Sequence, residues 1–456
     1  MSFLPLDRDS NINLPLTYNQ IVPDSHLAKF VVLMVSFFDL LPFEQKYKGH
    51  GKPAYSPSMM LSLILYSYIT GITSARSMET MIVESLPLLY ICGGMRPHHS
   101  TISKFRRRFL SEIDDLFVQV LKFANKYGLI GLENCYLDGT KMKANASKHH
   151  AYSFNRALDI KATLEKELNE LEERQNGIGG SDYTSVNIPE EIKRRQKKLA
   201  NVNIAIERII NKAHEHYQAE LEAYNEKMDA RSKKILETGK NPRGKVPSPP
   251  TEGPGARDQT NLTDPDSRIM PNSDKGFSQA YNAQAVVEGH NMLIVAAYVS
   301  QNPNDKKEMV PALVELAKNP DSLGTVKNIG ADNGYFSETN SEACEKAGIN
   351  PFIAVGRTPH HKSLNERLSP QTPLPLTEKA TPVEKMAYKL KTEEGKKIYA
   401  QRKQTVEPAF GIIKAVMNIR QFMLRGIKKV NSEWKLICMC YNIKKIFLAL
   451  QKVGQN

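Results

Sequence analysis

Lys327-Asn328-Ile329-Gly330-Ala331-Asp332-Asn333-Gly334-Tyr335 is the stretch on which the fold turns. A short apolar run ends on a carboxylate and an Asn-Gly pair, the pattern of a buried strand delivering an acid to a turn. Two other carboxylates have comparable settings. Asp138 closes Asn134-Cys135-Tyr136-Leu137-Asp138 and is followed by Gly139-Thr140-Lys141. Glu407 lies within Tyr399 to Lys414, a basic segment that reads as a helix. Each acid also has a plain structural reading: Asp138-Gly139 and Asp332-Asn333-Gly334 as turns, Glu407-Pro408 as the acidic first turn of a helix.

Working outward from Asp332, Ser337 to Ala347 reads as a helix and Pro351 to Val355 as a strand. A polar stretch from Arg357 to about Thr381 leads to a helical C-terminus, Val383 to Val453. Upstream, Gln279 to Glu288 and Met292 to Val299 form a hairpin. Asn304 or Asp305 is expected to cap a helix that runs to about Lys318. With Tyr136 to Asp138 as the first strand, the order is β, long insertion, β, β, α, β, α, β, α. Without the insertion this is the order of a ribonuclease-H-like α/β fold with a mixed sheet. In such a sheet the tips of the first and fourth strands are neighbours, so Asp138 and Asp332 meet.

Residues 1–130 read as an all-helical domain, with buried or amphipathic segments at Met59 to Thr70 and Ser74 to Glu84. Gly93-Gly94 and Pro97 break the chain, and Ser100 is expected to cap a helix carrying Lys104, Arg106, Arg107 and Arg108. Helix, turn and basic helix make a helix-turn-helix pattern for DNA, although the same arginines also fit a solvated face. Residues 151–260 are the insertion. Leu158, Leu164, Leu168 and Leu171 mark one helix. Val202, Ile206, Ile210, Ala213, Tyr217 and Leu221 mark another, joined to the first through a Gly177–Gly180 loop as an antiparallel hairpin. A Pro/Gly-rich linker closes the insertion from Gly239. The catalytic core is then 131–150 with 261–425, and 426–456 is a C-terminal helix.

The 456 residues are 41% hydrophobic and 24% charged, with a formal charge of +13. That excess favours polyanionic partners, DNA or RNA ahead of an anionic membrane. A secretory leader and a membrane span are not expected, nor is a phosphate-cradling glycine loop. A cytoplasmic protein follows, with its five scattered cysteines reduced. His149-His150 and His360-His361 read as surface pairs.

In a basic chain, three carboxylates from separate segments suit a pair of divalent cations acting on a phosphodiester. Mg²⁺ takes hard oxygen ligands and keeps waters, so few carboxylates suffice. Around Glu407, Tyr399, Lys403 and Lys414 share a helical stripe with it, and Pro408 is expected to kink or restart that helix. Arg402, Lys403 and Lys414 suit phosphate clamping; a Lys403–Glu407 surface pair is the alternative. Lys141 and Lys143 fit phosphate contact or a solvated edge equally. Asp264, Asp266 and Arg268 read as a turn, and Asp305 as a helix cap instead of a fourth acid.

Leu137-Asp138-Gly139-Thr140-Lys141 through Ala146, Thr263 to Arg268, Ala331 to Tyr335 and Val406 to Lys414 together resemble a bacterial insertion-sequence DDE transposase. Tyr55 to Phe109 resembles the helical domain ahead of that family's core. The resemblance implies a ribonuclease-H-like core, a catalytic and metal-binding triad at Asp138, Asp332 and Glu407, and Mg²⁺, with Mn²⁺ as a substitute. It implies cleavage of double-stranded DNA at terminal inverted repeats, strand transfer into target DNA, a homodimer pairing two ends, and a bacterial, nucleoid-associated setting. A non-catalytic DNA-binding regulator and a nuclease without strand transfer are the alternatives. Tyr399, Glu407 and Lys414 match the family's tyrosine, arginine, glutamate, lysine signature. Arg402 sits one residue further from Glu407 than that signature has it, and Lys403 occupies the expected spacing.

Overall fold

A computed structural model describes Pro5, Asp7, Arg8 and residues 17–47, 53–176, 187–242, 244–271, 276–356 and 380–453. The Gly177–Gly180 loop, His360, His361 and most of the polar stretch after Arg357 lie outside them.

The first part of the chain is helical: α1 (Leu27–Ser36), α2 (Leu41–Glu44), α3 (Pro57–Ile69), α4 (Ala75–Glu84), α5 (Leu86–Cys92), α6 (His99–Arg108) and α7 (Ile113–Lys126). Proline at the first position starts α3, where its missing N–H costs nothing. Every described residue of α3 except Ser58 is buried, so this helix has no solvent face. Helix α6 begins two residues earlier than expected. His98, not Ser100, is the cap: its side chain accepts the Ser100 N–H.

The sheet comes next: β1 (Asn134–Lys143), β2 (Ala151–Ser153), β3 (Gln259–Asn261), β4 (Arg268–Pro271), β5 (Phe277–Glu288), β6 (Ile294–Ser300), β7 (Asn328–Ala331) and β8 (Asn350–Ile353). Six strands form one mixed sheet in the order β4-β5-β1-β7-β8, with β6 also on β5. β1 runs antiparallel to β5, from Cys135↔Glu288 to Lys143↔Ala280, and parallel to β7, from Asn134↔Asn328 to Leu137↔Ala331. Asp138 is therefore mid-strand and not at a strand tip, because β5 pairs along the whole of β1. It stands where β7 stops, and the residue after β7 is Asp332. Gly330 permits this register, since a Cβ there would come within 2.6 Å of the Tyr136 ring.

Helix α8 (Phe154–Asn176) and the 51-residue α9 (Ile188–Thr238) belong to the insertion. Later come α10 (Met309–Leu316), α11 (Glu338–Lys346), α12 (Pro382–Lys391), α13 (Glu393–Gly411) and α14 (Ile427–Val453). A capping box between Thr381 and Glu384 starts α12. Helix α13 continues through Pro408 to Gly411, followed by a wider π turn at Ile412–Val416. The expected restart at Pro408 does not occur.

Helix α14 is apolar on nearly all sides, with Val430, Trp434, Ile437, Met439, Tyr441 and Ile443 buried, so it must be covered all round. Trp434 donates to the Gln284 carbonyl (2.8 Å), and Asn442 brackets Ile294, accepting its N–H and donating to its carbonyl. The helical N-terminus covers the rest: Phe447 meets Phe30 at 5.4 Å, and Lys435 pairs with Asp114 at 3.0 Å. Residues 1–145, 270–276 and 280–456 consequently make one compact unit. The regions 1–130 and 426–456, expected as separate, share its core.

The second unit is 146–269 with 277–279. The β2–β3 ladder opens it, and Ala157, Leu164 and Val202 form its core between α8 and α9. On α9 the buried face is Ile192, Val202, Ala205 and Ile209, while Ile210 is exposed; Leu158 on α8 is also exposed. The expected stripe was one residue out of phase at these positions. Asp264 caps its own turn as expected, accepting the Asp266 N–H. All five cysteines are buried and unpaired. Among the described residues no helix is long and apolar enough to cross a membrane.

Candidate active site

Parallel register sets Asp138 and Asp332 one position beyond the Leu137↔Ala331 pair of two neighbouring strands. Each has its Oδ1 tied to a backbone N–H just ahead in the sequence: Asp138 accepts the Gly139 N–H within β1, and Asp332 accepts the Gly334 N–H of its turn, both at 2.8 Å. Helix α13 brings the third acid. Tyr136, on β1, places its hydroxyl 2.9 Å from the Ile398 carbonyl and 2.8 Å from the Gln401 amide oxygen, which seats α13 against the sheet. From there the Arg402 guanidinium reaches Asp138 Oδ2 (3.4 Å) with one nitrogen and Glu407 Oε1 (3.5 Å) with the other. Arg402 is buried, whereas 54% of the Glu407 side chain is exposed. The ion pair of Glu407 is thus with Arg402 five residues away, not with Lys403.

Burial pushes the Asp138 carboxyl up to about 7, and the nearby Asp332 and Asp305 charges add to that. The Gly139 N–H and Arg402 oppose it. A cation added here would favour the charged form. The donor set fits a hard divalent ion: carboxylate oxygens predominate, and none of the five cysteines lies among them. A fully buried amide oxygen, Asn282 Oδ1, has no hydrogen-bond partner. It lies against Gly139, where a Cβ would meet it at 2.9 Å. These features fit Mg²⁺ or Mn²⁺.

The basic residues divide into two groups. Tyr399 is half-buried with the Arg402 guanidinium 5.9 Å from its ring centroid. Lys403 is exposed, while Lys414 folds back onto the Thr140 hydroxyl and the Lys141 carbonyl, and burial lowers its pKa. Lys141 pairs with Asp305 at 3.6 Å; Lys143 is exposed at the end of β1. On α6, Lys104, Arg107 and Arg108 are exposed, and Lys104 and Arg108 line a cavity of about 290 Å³ with Tyr47 and Tyr55. Arg106 points inward and donates to the Tyr68 hydroxyl (2.8 Å) and the Thr73 carbonyl (3.0 Å). It is 9% exposed, so the expectation that it meets DNA is corrected: its guanidinium is committed to the core.

Asp305 is a second correction. It does not cap α10, whose cap position is Glu308. Its Oδ1 instead accepts from Asn282 Nδ2 (2.7 Å) and Gln284 Nε2 (2.8 Å). Asn282 and Gln284, at alternate positions of the otherwise apolar run Ala280 to Val287, share one face, and that was the available sequence signal. His149 and His150 are exposed. A different set, Glu79, His98 and His99, brings its ligand-capable atoms within 4.8 Å of one another. There His99 donates its N–H to Glu79 Oε2 (3.1 Å), and its Nδ1 lies 2.7 Å from the same oxygen.

Two family matches bracket the chain. Residues 16–108 match a family described as "Transposase domain (DUF772)", and residues 369–447, which include Glu407, match "Transposase DDE domain". No curated protein and no solved structure matches. A transposase domain matches near one end and a DDE domain near the other, and together the two matches support an insertion-sequence DDE transposase.

Proposed function

We propose that this protein cuts DNA at the ends of its own element and joins those ends to target DNA, with Asp138, Asp332 and Glu407 as its catalytic carboxylates in a ribonuclease-H-like core. The observation that carries the reading is the convergence of the three acids: Asp138 and Asp332 through strand register, Glu407 through the Arg402 bridge. The strand order, antiparallel on one side of β1 and parallel on the other, supports the core assignment.

In this reading the three acids hold two divalent cations, which when bound supply an activated oxygen nucleophile and neutralise the leaving oxygen. The chain's own groups do the rest. Arg402 balances Asp138 and Glu407 in the free protein, while exposed Lys403 meets DNA phosphates. In the first step a water oxygen attacks phosphorus, the P–O3′ bond breaks, and the 3′-oxygen leaves as a hydroxyl. In the second that hydroxyl attacks a target phosphodiester and displaces the target's 3′-oxygen. Lys104, Arg107 and Arg108 hold the duplex through its backbone, and two protomers pair two ends.

The test is a cleavage and joining assay with duplex DNA carrying the inverted repeats that flank the gene, with Mg²⁺ or Mn²⁺. Wild-type protein nicks and joins, and Asp332→Asn does neither. Equal activity of the two proteins would overturn the triad. Nicking without joining would show a nuclease, and binding without nicking a regulator.

A further inference from the structure

Beyond the three acids, the cleft contains a carboxylate that the family triad does not use. Asp305 lies in the segment between β6 and α10, and its Cβ is 3.8 Å from where a side chain on Gly334 would begin. Asp332 Oδ1 approaches the same point at 3.0 Å, so the two acids flank one glycine. Asp305 is also held more firmly than a surface acid needs to be. Its Oδ1 takes the Asn282 and Gln284 amides and the 3.6 Å ion pair from Lys141. Gln284 in turn accepts the Tyr335 hydroxyl at 2.6 Å, three residues after Asp332. Strand β5 thus ties Asp305 to the turn that carries Asp332.

A second feature points to a ligand. Asn282 gives its amide hydrogens to Asp305 and to the Asn302 carbonyl. Both partners are acceptors, so the amide cannot be reversed, and its oxygen is fixed as the unpartnered atom against Gly139. A buried acceptor without a donor, on the same amide that holds the Asp305 carboxylate, suits a cation or its bound water.

We propose that Asp305 is a fourth carboxylate of the cleft, locked by the Asn282–Gln284 amides and balanced by Lys141, and that this pair sets how tightly the cleft takes divalent cations. It is a positioning residue that acts through charge and through the Asp332 turn. The proposal rests on the reading of Asp138, Asp332 and Glu407 as cation ligands. Removing Asp305's charge weakens cation binding, and removing Lys141's charge strengthens it.

The full-length protein, free of DNA, is titrated with Mn²⁺ while free Mn²⁺ is followed by electron paramagnetic resonance. Asp305→Asn is expected to weaken Mn²⁺ binding about 10-fold, the scale of groups behind metal ligands, with an unchanged melting temperature. Lys141→Gln is expected to tighten it, a direction that misfolding cannot mimic. Asp138→Asn is expected to remove the bound Mn²⁺. Wild-type affinity in both Asp305→Asn and Lys141→Gln, with Asp138→Asn defective, overturns this proposal and leaves the triad standing. Wild-type affinity in Asp138→Asn overturns the triad itself.

Discussion

Two arginines in this unit each face an acid contributed from far along the chain, and they do opposite work. Arg106 meets the Tyr68 hydroxyl, and Tyr68 donates to Glu433 Oε1 at 3.0 Å. Glu433 also accepts the Met423 and Leu424 N–H groups and is 1% exposed, so its carboxylate is closed to solvent and needs no further ligand. Arg402 bridges Asp138 and Glu407 at longer range, and Glu407 opens to solvent. A buried arginine is common to both; what differs is whether the acids are satisfied without it. A satisfied acid belongs to the fold, and an acid held by one long ion pair is poised for another cation.

The comparison breaks most readily at Glu433. Glu433→Ala removes the acceptor for Tyr68 and two backbone N–H groups and leaves Arg106 without its acid, so stability should fall by about 3–5 kcal/mol in denaturant titration. Asp138→Asn should act the other way round. End cleavage falls at least about 100-fold, since a direct ligand costs no less than the groups behind it. Its melting temperature is not lowered, because the charge it loses was opposed by burial. An Asp138→Asn protein that melts early would make the two networks alike.

Gly330→Ala tests the seat of the open network. Its Cβ would enter the Tyr136 ring, at a cost of about 1–3 kcal/mol by overpacking, and disturb the hydroxyl that seats α13. Cleavage and stability should therefore fall together. The smallest effect is on pH dependence. Burial raises the Glu433 carboxyl above its ordinary range. The folded protein therefore binds that proton more tightly than the unfolded chain. Through this group, stability drops as pH climbs from the ordinary carboxylate value through the folded one. Melting at pH 5 and pH 8 should show a smaller difference in Glu433→Gln than in wild type.

The meeting of Asp138 with Asp332 was legible because a short apolar run ending at Asp332 pairs in parallel with β1, whereas the mid-strand place of Asp138 was not, since it depends on β5 beyond the insertion. Helix α3 and the β5–β6 hairpin were legible for a local reason: their patterns are completed within a dozen residues. Arg106 was not, since its burial depends on Tyr68 and, through it, on Glu433, 365 residues further along than Tyr68. Position in the sequence gave it the same exposed-face reading as Arg107. Asp305 failed similarly: a capping reading needs only the next few residues, whereas the true partners are amides 23 and 21 residues upstream. The phase error on α9 has a local cause. Ile206, Ile209 and Ile210 offer two overlapping stripes, and only tertiary packing, which buries Ile209 and leaves Ile210 exposed, chooses between them.

The pairing of Lys143 with Ala280 means that the chain leaves β1 and enters its ladder with β5 at facing positions of two antiparallel strands. Topologically, then, everything between them, with the edge strand β4 included, is the connection of a single β-hairpin. Loop length enters closure entropy only logarithmically, so a very long hairpin loop is cheap to carry. It is also dispensable to the ladder. A short turn joining Lys143 to Ala280 would preserve the register that sets Asp138 beside Asp332, so the cut-down chain is a natural starting point for a minimal catalytic core.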